Sequence, residues 1–131
     1  MEEEKERSKI WQNAPGTRQA KLLIGDYSRK RSNNYLKLGK SKLRIATGLL
    51  TGHCKLRYHL KNMGLETDPS CRKCGEADET SAHILLECEA LARSRLLRLG
   101  DPWPTTVKIH LLDPQNLLKF LDETHLMEVL Q

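Results

Sequence analysis

The most specific pattern in the chain lies at residues 71–88, which read CRKCGEADETSAHILLEC. Cys71, Cys74, His83 and Cys88 follow the spacing Cys-x2-Cys-x8-His-x4-Cys. Two cysteines three residues apart in a glycine-bearing turn can present both sulfurs to one ion, and the second pair can complete a tetrahedron. We therefore predict that these four side chains bind one structural Zn²⁺ ion with no open coordination position.

The spacing between His83 and Cys88 also predicts a break in the helix that carries them. In a continuous α-helix, at about 100° per residue, the two side chains would diverge by about 140°. We therefore expect a helical turn at His83, a break near Cys88 and a new helix that starts around Glu89. Three thiolates and one neutral imidazole around Zn²⁺ would carry a charge of about −1.

Other interpretations of the cysteines and histidines stay open. Free cysteines are often buried as small apolar side chains. A Cys-x2-Cys pair can also be a redox motif, but that needs a βαβ setting, which the helical pattern does not supply. Cys54 lies near His53 and His59, and we interpret these three as packed or solvated residues rather than a second site, as we do His110 and His125.

The composition predicts one helical domain. The chain has 131 residues, of which 38% are hydrophobic and 30% charged, and this is a globular composition. Apolar residues recur mostly at helical spacing, so we predict an all-α fold, a small helical domain with a CCHC zinc knuckle inserted between helices. We expect a flexible charged lead-in at 1–8, a basic helical region with an αα-hairpin at 9–66, the knuckle and the following helix at 67–100, and a C-terminal helical tail at 101–131.

Turn and cap residues suggest where the helices begin and end. Ser41 is expected to cap one helix, which Thr51-Gly52 ends. Thr51 is expected to cap the next helix, which ends at Gly64, so that two helices are joined tightly at Thr51. Residues 107–112 stay ambiguous between extended and helical structure. The other predicted helices run from Thr17 to Gly25, within residues 28–39, from Thr80 or Ser81 to Gly100 with Arg93, Arg95 and Arg98 on its surface, and from Asp113-Pro114 with Leu117, Leu118 and Leu121 buried.

Positive charge is concentrated in the first half of the chain. Residues 9–63 hold thirteen Lys and Arg but only one acid, Asp26, whereas residues 64–131 hold seven basic and twelve acidic residues. This segregation predicts a polyanionic partner, RNA or DNA, bound mainly through its phosphates. The alternative is a solvated basic face that binds nothing in particular. The candidate contact residues are Arg29, Lys30, Arg31, Lys40, Lys42, Arg44, Lys55 and Arg57.

The knuckle loop itself is acidic, because it carries Glu76, Asp78 and Glu79. These carboxylates are expected to repel phosphates, which suggests that zinc fixes the geometry while the basic residues contact the nucleic acid. The N-terminal residues are too acidic and polar for a signal peptide, and no apolar run approaches the ~18 residues of a membrane span. We therefore expect a nuclear or cytoplasmic protein with no membrane partner.

Several short segments support a family resemblance because they occur together and in order. They are TRQAK at 17–21, LTGH at 50–53 with Leu56 and His59-Leu60, CRKC at 71–74, Glu79-Thr80 followed by His83, and Glu87-Cys88. In this order they resemble the C-terminal region of LINE-type (non-LTR) retrotransposon polyproteins, which follows the reverse transcriptase and RNase H domains. The resemblance covers roughly residues 10–125.

The resemblance implies a zinc-knuckle tail that handles template RNA or target DNA, with the same four zinc ligands. Reverse transcriptase domains of a parent polyprotein are then possible partners. The paired aspartates of the polymerase and the clustered carboxylates of RNase H are absent here, so we expect no enzymatic activity. The chain would be either a fragmentary copy of such an element or a host protein derived from one. The alternatives are a zinc-organised protein-interaction adaptor and a non-functional fragment.

Overall fold

The computed structural model describes Leu23 and residues 29–131. In this part of the chain the fold is helical and contains no strand, which confirms the predicted class. No helix among the described residues is long and apolar enough to cross a bilayer. The elements are α1 (Arg29–Leu36), α2 (Lys40–Thr51), α3 (Arg57–Asn62), a π-helical turn (His83–Glu87), a 3₁₀ turn (Glu89–Leu91), α4 (Ala92–Leu99), α5 (Thr106–His110), α6 (Pro114–Glu123) and α7 (Leu126–Leu130).

Two predictions fall largely or wholly outside the described residues. They are the charged lead-in at 1–8 and the helix from Thr17 to Gly25, of which only Leu23 is described. Leu23 is helical and buried, with 1% of its surface exposed. The predicted division of the chain into four segments stays a prediction.

Helix α6 lies at the centre of the packing, against α2, α4 and α7. It begins as predicted, because the Asp113 carboxylate accepts a hydrogen bond from the Gln115 backbone N–H (2.8 Å) and Pro114 occupies the first turn. Its predicted apolar face is confirmed, since Leu117, Leu118 and Leu121 are all buried. Full burial of each such side chain stabilises the fold by about 1.5–3 kcal/mol.

Helix α2 presents one apolar face to these C-terminal helices. Ile45, Ala46, Leu49 and Leu50 are buried on that face. The prediction that Ser41 caps this helix is wrong, because the helix begins one residue earlier, at Lys40, and makes no side-chain cap. The predicted end is correct, since the helix stops at Thr51 and Gly52 follows it in the left-handed conformation.

The predicted cap at Thr51 and the tight joint there are also wrong. Thr51 ends its own helix, where its hydroxyl donates to the carbonyl of Thr47 (2.8 Å), and the next helix begins only at Arg57, so Thr51 does not cap it. Residues 52–56 then connect to α3, which follows Leu56 and contains no buried residue. The predicted end of this second helix is correct, because Gly64 follows α3 in the left-handed conformation, with a φ of +75°.

The C-terminal tail is more helical than the sequence pattern indicated. Residues 107–110 of the ambiguous segment lie in α5, and the Thr105 hydroxyl caps this helix by accepting from the Lys108 backbone N–H (3.3 Å). Helix α7 was not predicted. It follows His125, which has a φ of +62°, and it buries Leu126 and Leu130.

Candidate metal centre

A tight loop carries the first two donor residues. Ser70 and Asp78 form an isolated antiparallel bridge at the base of this loop. Inside it, the Cys71 N–H donates to the Ala77 carbonyl (2.7 Å) and the Gly75 N–H to the Cys71 carbonyl (2.7 Å). Gly75 has a φ of +71°, a conformation that strains other residues, so the turn depends on glycine. The loop therefore folds back on itself with both sulfurs close to its centre.

The second pair of donors is brought together by the π-helical turn. The Cys88 N–H donates to the His83 carbonyl (2.7 Å), so donor and acceptor are five positions apart rather than the four of an α-helix. Cys88 then leaves the helix with a ψ of 118°. The 3₁₀ turn starts at Glu89. The predicted break near Cys88 and the predicted new start at Glu89 are confirmed. Because the π-helical turn is wider than an α-helical turn, it places the His83 and Cys88 side chains on the same side of the chain.

All four predicted donor residues converge. Their donor atoms lie within 4.8 Å of one another, and Cys71, His83 and Cys88 are buried while Cys74 is half-buried. The Cys71 and Cys88 sulfurs are 3.9 Å apart, and the Cys74 sulfur is 3.3 Å from Nε2 of His83. With bonds of about 2.3 Å to sulfur and 2.0–2.1 Å to nitrogen, a tetrahedral zinc site has S–S and S–N edges of roughly 3.8 and 3.6 Å. The residues present therefore fit such an ion.

The environment of the sulfurs also suits a cation. The backbone N–H of Lys73 points at the Cys71 sulfur (3.4 Å) and that of Glu76 at the Cys74 sulfur (3.5 Å). The Glu76 bond is the main cause that lowers the pKa of Cys74. At Cys88, burial and the negative charge of Cys71 raise the pKa to about 12. Three thiolates gathered in this space repel one another, and a cation between them removes that conflict.

The imidazole of His83 has one nitrogen at the cluster and the other facing away from it. Nε2 faces the Cys74 sulfur. Nδ1 is buried, no described residue hydrogen-bonds to it, and its nearest carboxylate oxygen is Oε2 of Glu87 at 3.8 Å. A metal-bound histidine commonly directs its second N–H toward a carboxylate. Nε2 is therefore the nitrogen that would bind the ion.

Glu79 is a buried clamp rather than an acidic surface group, so the expectation that it repels phosphates is wrong. Its side chain is fully buried, and its carboxylate accepts from the backbone N–H groups of Arg57 (3.0 Å) and Arg72 (2.8 Å). The Arg72 guanidinium forms an ion pair with the same carboxylate, and its Nε and Nη2 atoms both lie 2.9 Å from carboxylate oxygens. Glu79 thus ties the cysteine loop to the start of α3. Glu76 and Asp78 are exposed, as expected of solvent-facing acids.

Arg95 was predicted on the surface of its helix, and this prediction is wrong. Its side chain is fully buried. The guanidinium donates to the carbonyls of Ile84, Cys88 and Pro102, and it lies 5.0 Å from the centre of the Trp103 ring. A signal was present in the sequence, because Arg95 lies four residues from both Leu91 and Leu99 and therefore occupies the apolar stripe of the helix.

The residues around Cys54 do not build a second centre. Cys54 is half-buried, and burial raises the pKa of its thiol. The rings of His53 and His59 lie 5.5 Å apart and are tilted by 49°. Within the described residues, the cluster at Cys71 is the one group of three or more metal-binding side chains.

The eight basic candidates fall into three groups. Lys40, Lys42 and Arg44 are exposed on α2, and no ion pair or hydrogen bond joins their side chains to another described residue. Lys55 and Arg57 are partly engaged within the chain, since Lys55 donates to the Gln131 carbonyl (2.7 Å) and Arg57 lies 3.7 Å from Asp68. For Arg29, Lys30 and Arg31 the structure describes only the backbone, which lies in α1.

These features define a small helical domain in which a loop and a π-helical turn bring together a Cys₃His cluster that could bind a metal. A family model described as zinc-binding in reverse transcriptase matches residues 28–94, a stretch that includes all four donor residues. The chain therefore belongs to this family of zinc-binding domains associated with reverse transcriptase. No curated protein and no solved structure matches the chain.

Proposed function

We propose that this chain is a non-enzymatic nucleic-acid-binding module with one structural zinc ion, derived from the C-terminal region of a LINE-type (non-LTR) retrotransposon polyprotein. The observation that carries the zinc assignment is the convergence of four donor atoms within 4.8 Å. Family membership supports the link to reverse transcriptase. The ordered segments described above support the narrower LINE-type origin. The protein would be nuclear or cytoplasmic, with RNA or DNA as its partner.

Zinc would join the cysteine loop to the π-helical turn, and its role would be structural because all four positions are filled by Cys71, Cys74, His83 and Cys88. Binding of a structural zinc ion supplies on the order of 10 kcal/mol of apparent free energy, so its removal should loosen this region.

Native mass spectrometry before and after chelation tests the zinc site directly. We expect one zinc per chain, and chelation should remove it together with the part of the helicity that belongs to the π-helical turn and its neighbours. Cys71→Ser should weaken zinc binding strongly, whereas the matched control Cys54→Ser should keep it, because Cys54 lies outside the cluster. A protein that binds no zinc, or that binds it equally well as Cys71→Ser, would contradict the assignment.

The nucleic-acid assignment rests on the exposed cations of α2. Lys40, Lys42 and Arg44 lie within the first five residues of this helix, and the helix contains no acidic residue. Cations near a helix N-terminus interact unfavourably with the helix dipole, so they do not serve the stability of the helix. Exposed positive charge without a neutralising partner among the described residues suits a polyanion.

Salt-dependent binding distinguishes this function from its alternatives. We would measure fluorescence anisotropy of labelled single-stranded RNA, single-stranded DNA and duplex DNA over a range of salt concentrations. The slope of log K against log salt is about −0.7 per phosphate contact for single strands and −0.9 for B-DNA. A triple variant, Lys40→Gln with Lys42→Gln and Arg44→Gln, should therefore reduce the slope by about 2–3.

A matched control neutralises three exposed cations in residues 64–131, the part of the chain in which acidic residues outnumber basic ones. Arg93→Gln, Lys108→Gln and Lys119→Gln together make the same change in net charge. This variant should bind like the wild type, because those residues lie outside the basic region. Equal weakening by both triple variants would indicate a general effect of net charge, and no measurable binding at low salt would reject the nucleic-acid assignment.

A protein-interaction adaptor is the second candidate, and exposed apolar side chains favour it. On α4, Leu96 and Leu97 are 51% and 58% exposed, and Trp103 beyond the helix is 50% exposed. An interface built on such residues responds weakly to salt. Binding that is insensitive to salt and unchanged in the α2 triple variant would therefore favour an adaptor.

A further inference from the structure

We infer that Arg95 is a positioning residue of the metal centre, which holds the turn that carries His83 and Cys88 and balances the negative charge of the metal–thiolate group. This inference rests on the proposed zinc site and adds to it a residue outside the four donors. Two observations carry it: the guanidinium contacts three backbone carbonyls, and it is buried without a carboxylate partner among the described residues.

The guanidinium contacts the backbone on both sides of the helix break. Nη1 donates to the Ile84 carbonyl (2.9 Å) and Nη2 to the Cys88 carbonyl. Nε donates to the Pro102 carbonyl (2.6 Å), which lies beyond the end of α4. A helix that breaks leaves its last carbonyls without the N–H partners that a continuing helix would supply. Arg95 supplies such a donor to the Ile84 carbonyl, and it also donates to the carbonyl of the donor residue Cys88, which accepts from the Leu91 N–H (3.2 Å) as well.

This contact pattern uses the geometry of arginine. The planar guanidinium presents five N–H donors in a fixed arrangement, so one side chain can hold three carbonyls at fixed relative positions. The Ile84 carbonyl lies within the π-helical turn and the Cys88 carbonyl directly after it. That turn determines the separation of His83 from Cys88. The guanidinium is therefore placed to hold the second donor pair at the spacing the ion needs.

The charge of Arg95 lacks an acidic partner in the described structure. Its side chain is 0% exposed, and none of the described Asp or Glu residues forms an ion pair with it. A buried charge is costly unless it is compensated. The Trp103 ring face, 5.0 Å away, supplies part of the compensation. A centre with three thiolates and one neutral imidazole around Zn²⁺ carries about −1, which is the opposite charge.

The test compares zinc affinity by chelator competition in the full chain and three variants. Arg95→Met keeps much of the side-chain volume but removes the charge and all donors, and we expect zinc affinity to fall by about 10- to 100-fold. Arg95→Lys keeps the charge but lacks the planar guanidinium, so its zinc affinity should lie between those of Arg95→Met and the wild type. Arg98→Met is the matched control, because Arg98 lies on the same helix but pairs with Glu123 (2.8 Å) at the surface. It should bind zinc like the wild type.

Cobalt(II) provides a readout that a purely structural role would not change. In the wild type, cobalt should show the visible bands of a tetrahedral ion and a thiolate-to-cobalt charge-transfer band. If Arg95 positions the π-helical turn, Arg95→Met should shift or weaken these bands. If Arg95 only supports the fold, the variant should melt at lower temperature while its cobalt spectrum and zinc affinity stay those of the wild type, and that result overturns the inference.

Each remaining outcome is also decisive. If Arg95→Met does not fold, Arg95→Lys carries the test, since unchanged affinity and spectrum in that variant overturn the inference and an intermediate loss supports it. A wild-type chain that binds no zinc overturns the proposed function and this inference together. Zinc binding by the wild type, with no change in either Arg95 variant, overturns only the role of Arg95.

Discussion

Replacement of Glu79 by glutamine should destabilise the folded chain strongly, although the two side chains have nearly the same shape. The Glu79 carboxylate is fully buried and accepts from two backbone N–H groups and from the Arg72 guanidinium. Glutamine has one accepting oxygen and an NH₂ group, which would face these donors. The substitution therefore leaves donors unsatisfied and the cation of Arg72 without its partner.

The magnitude follows from how far each partner is buried. Breaking a buried ion pair by removing one member destabilises a protein by about 3–5 kcal/mol. The Arg72 side chain is 28% exposed, so water compensates part of its lost pairing. We therefore expect about 2–3 kcal/mol, less than for a fully buried pair. For a chain of this length, this corresponds to a decrease of about 10 °C in Tm.

The assay is thermal unfolding of the zinc-loaded protein, followed by circular dichroism. Glu76→Gln is the matched control, since Glu76 lies in the same loop but is exposed, and its variant should melt within about 1 °C of the wild type. A Glu79→Gln protein that melts with the control would refute the reasoning, because it would mean that this carboxylate does not clamp the cysteine loop to α3.

Three further substitutions test other parts of the fold by thermal unfolding. The Trp103 backbone N–H is the main cause that lowers the pKa of Asp101 from its ordinary value of 3.8. The stability that Asp101 adds is therefore present above that pH and lost as the pH falls below it, so Asp101→Asn should lower Tm at pH 7 and have little effect in strong acid. Gly48→Ala should destabilise by about 1 kcal/mol despite the better helix propensity of alanine. The added Cβ would lie 3.1 Å from the His53 carbonyl oxygen, and an unchanged Tm would show that this turn can shift. Asp113→Ala removes the cap of α6 and should destabilise by about 1 kcal/mol, a loss that Asp113→Asn should largely avoid.

The sequence predicted the helical class and the break between His83 and Cys88, because both follow from local rules. Cap and turn residues predict a helix end correctly where a single residue determines it, as Gly52 and Gly64 do after their helices and Asp113 does before α6. The break followed from geometry alone, since a five-residue spacing does not fit one face of an α-helix. The π-helical form of the turn was not predicted, although its bonded groups are five positions apart in the sequence and so match this spacing.

The two buried charges were not predicted. The place of Arg95 on the apolar stripe of its helix was a signal, but the partners that allow a charged side chain to be buried are distant in sequence. Glu79 contacts the backbone of Arg57, 22 residues away. Arg95 contacts the Ile84 carbonyl, 11 residues away. Charged residues are ordinarily assigned to the surface, and composition does not reveal the exceptions. The errors at Ser41 and Thr51 have a different cause, since good capping residues were present but the helix ends fell elsewhere.

The two buried charged residues, Glu79 and Arg95, each hold one pair of donor residues of the candidate centre in place. Glu79 holds the loop with Cys71 and Cys74 against the start of α3. Arg95 holds the turn with the other two donors against the end of α4. Because each half is held by its own contacts, the protein does not depend on the ion alone to shape either pair of donors. The ion would then act mainly to join two prepared halves, and chelation should separate them while leaving the packing of α6 against α2 and α7 largely intact.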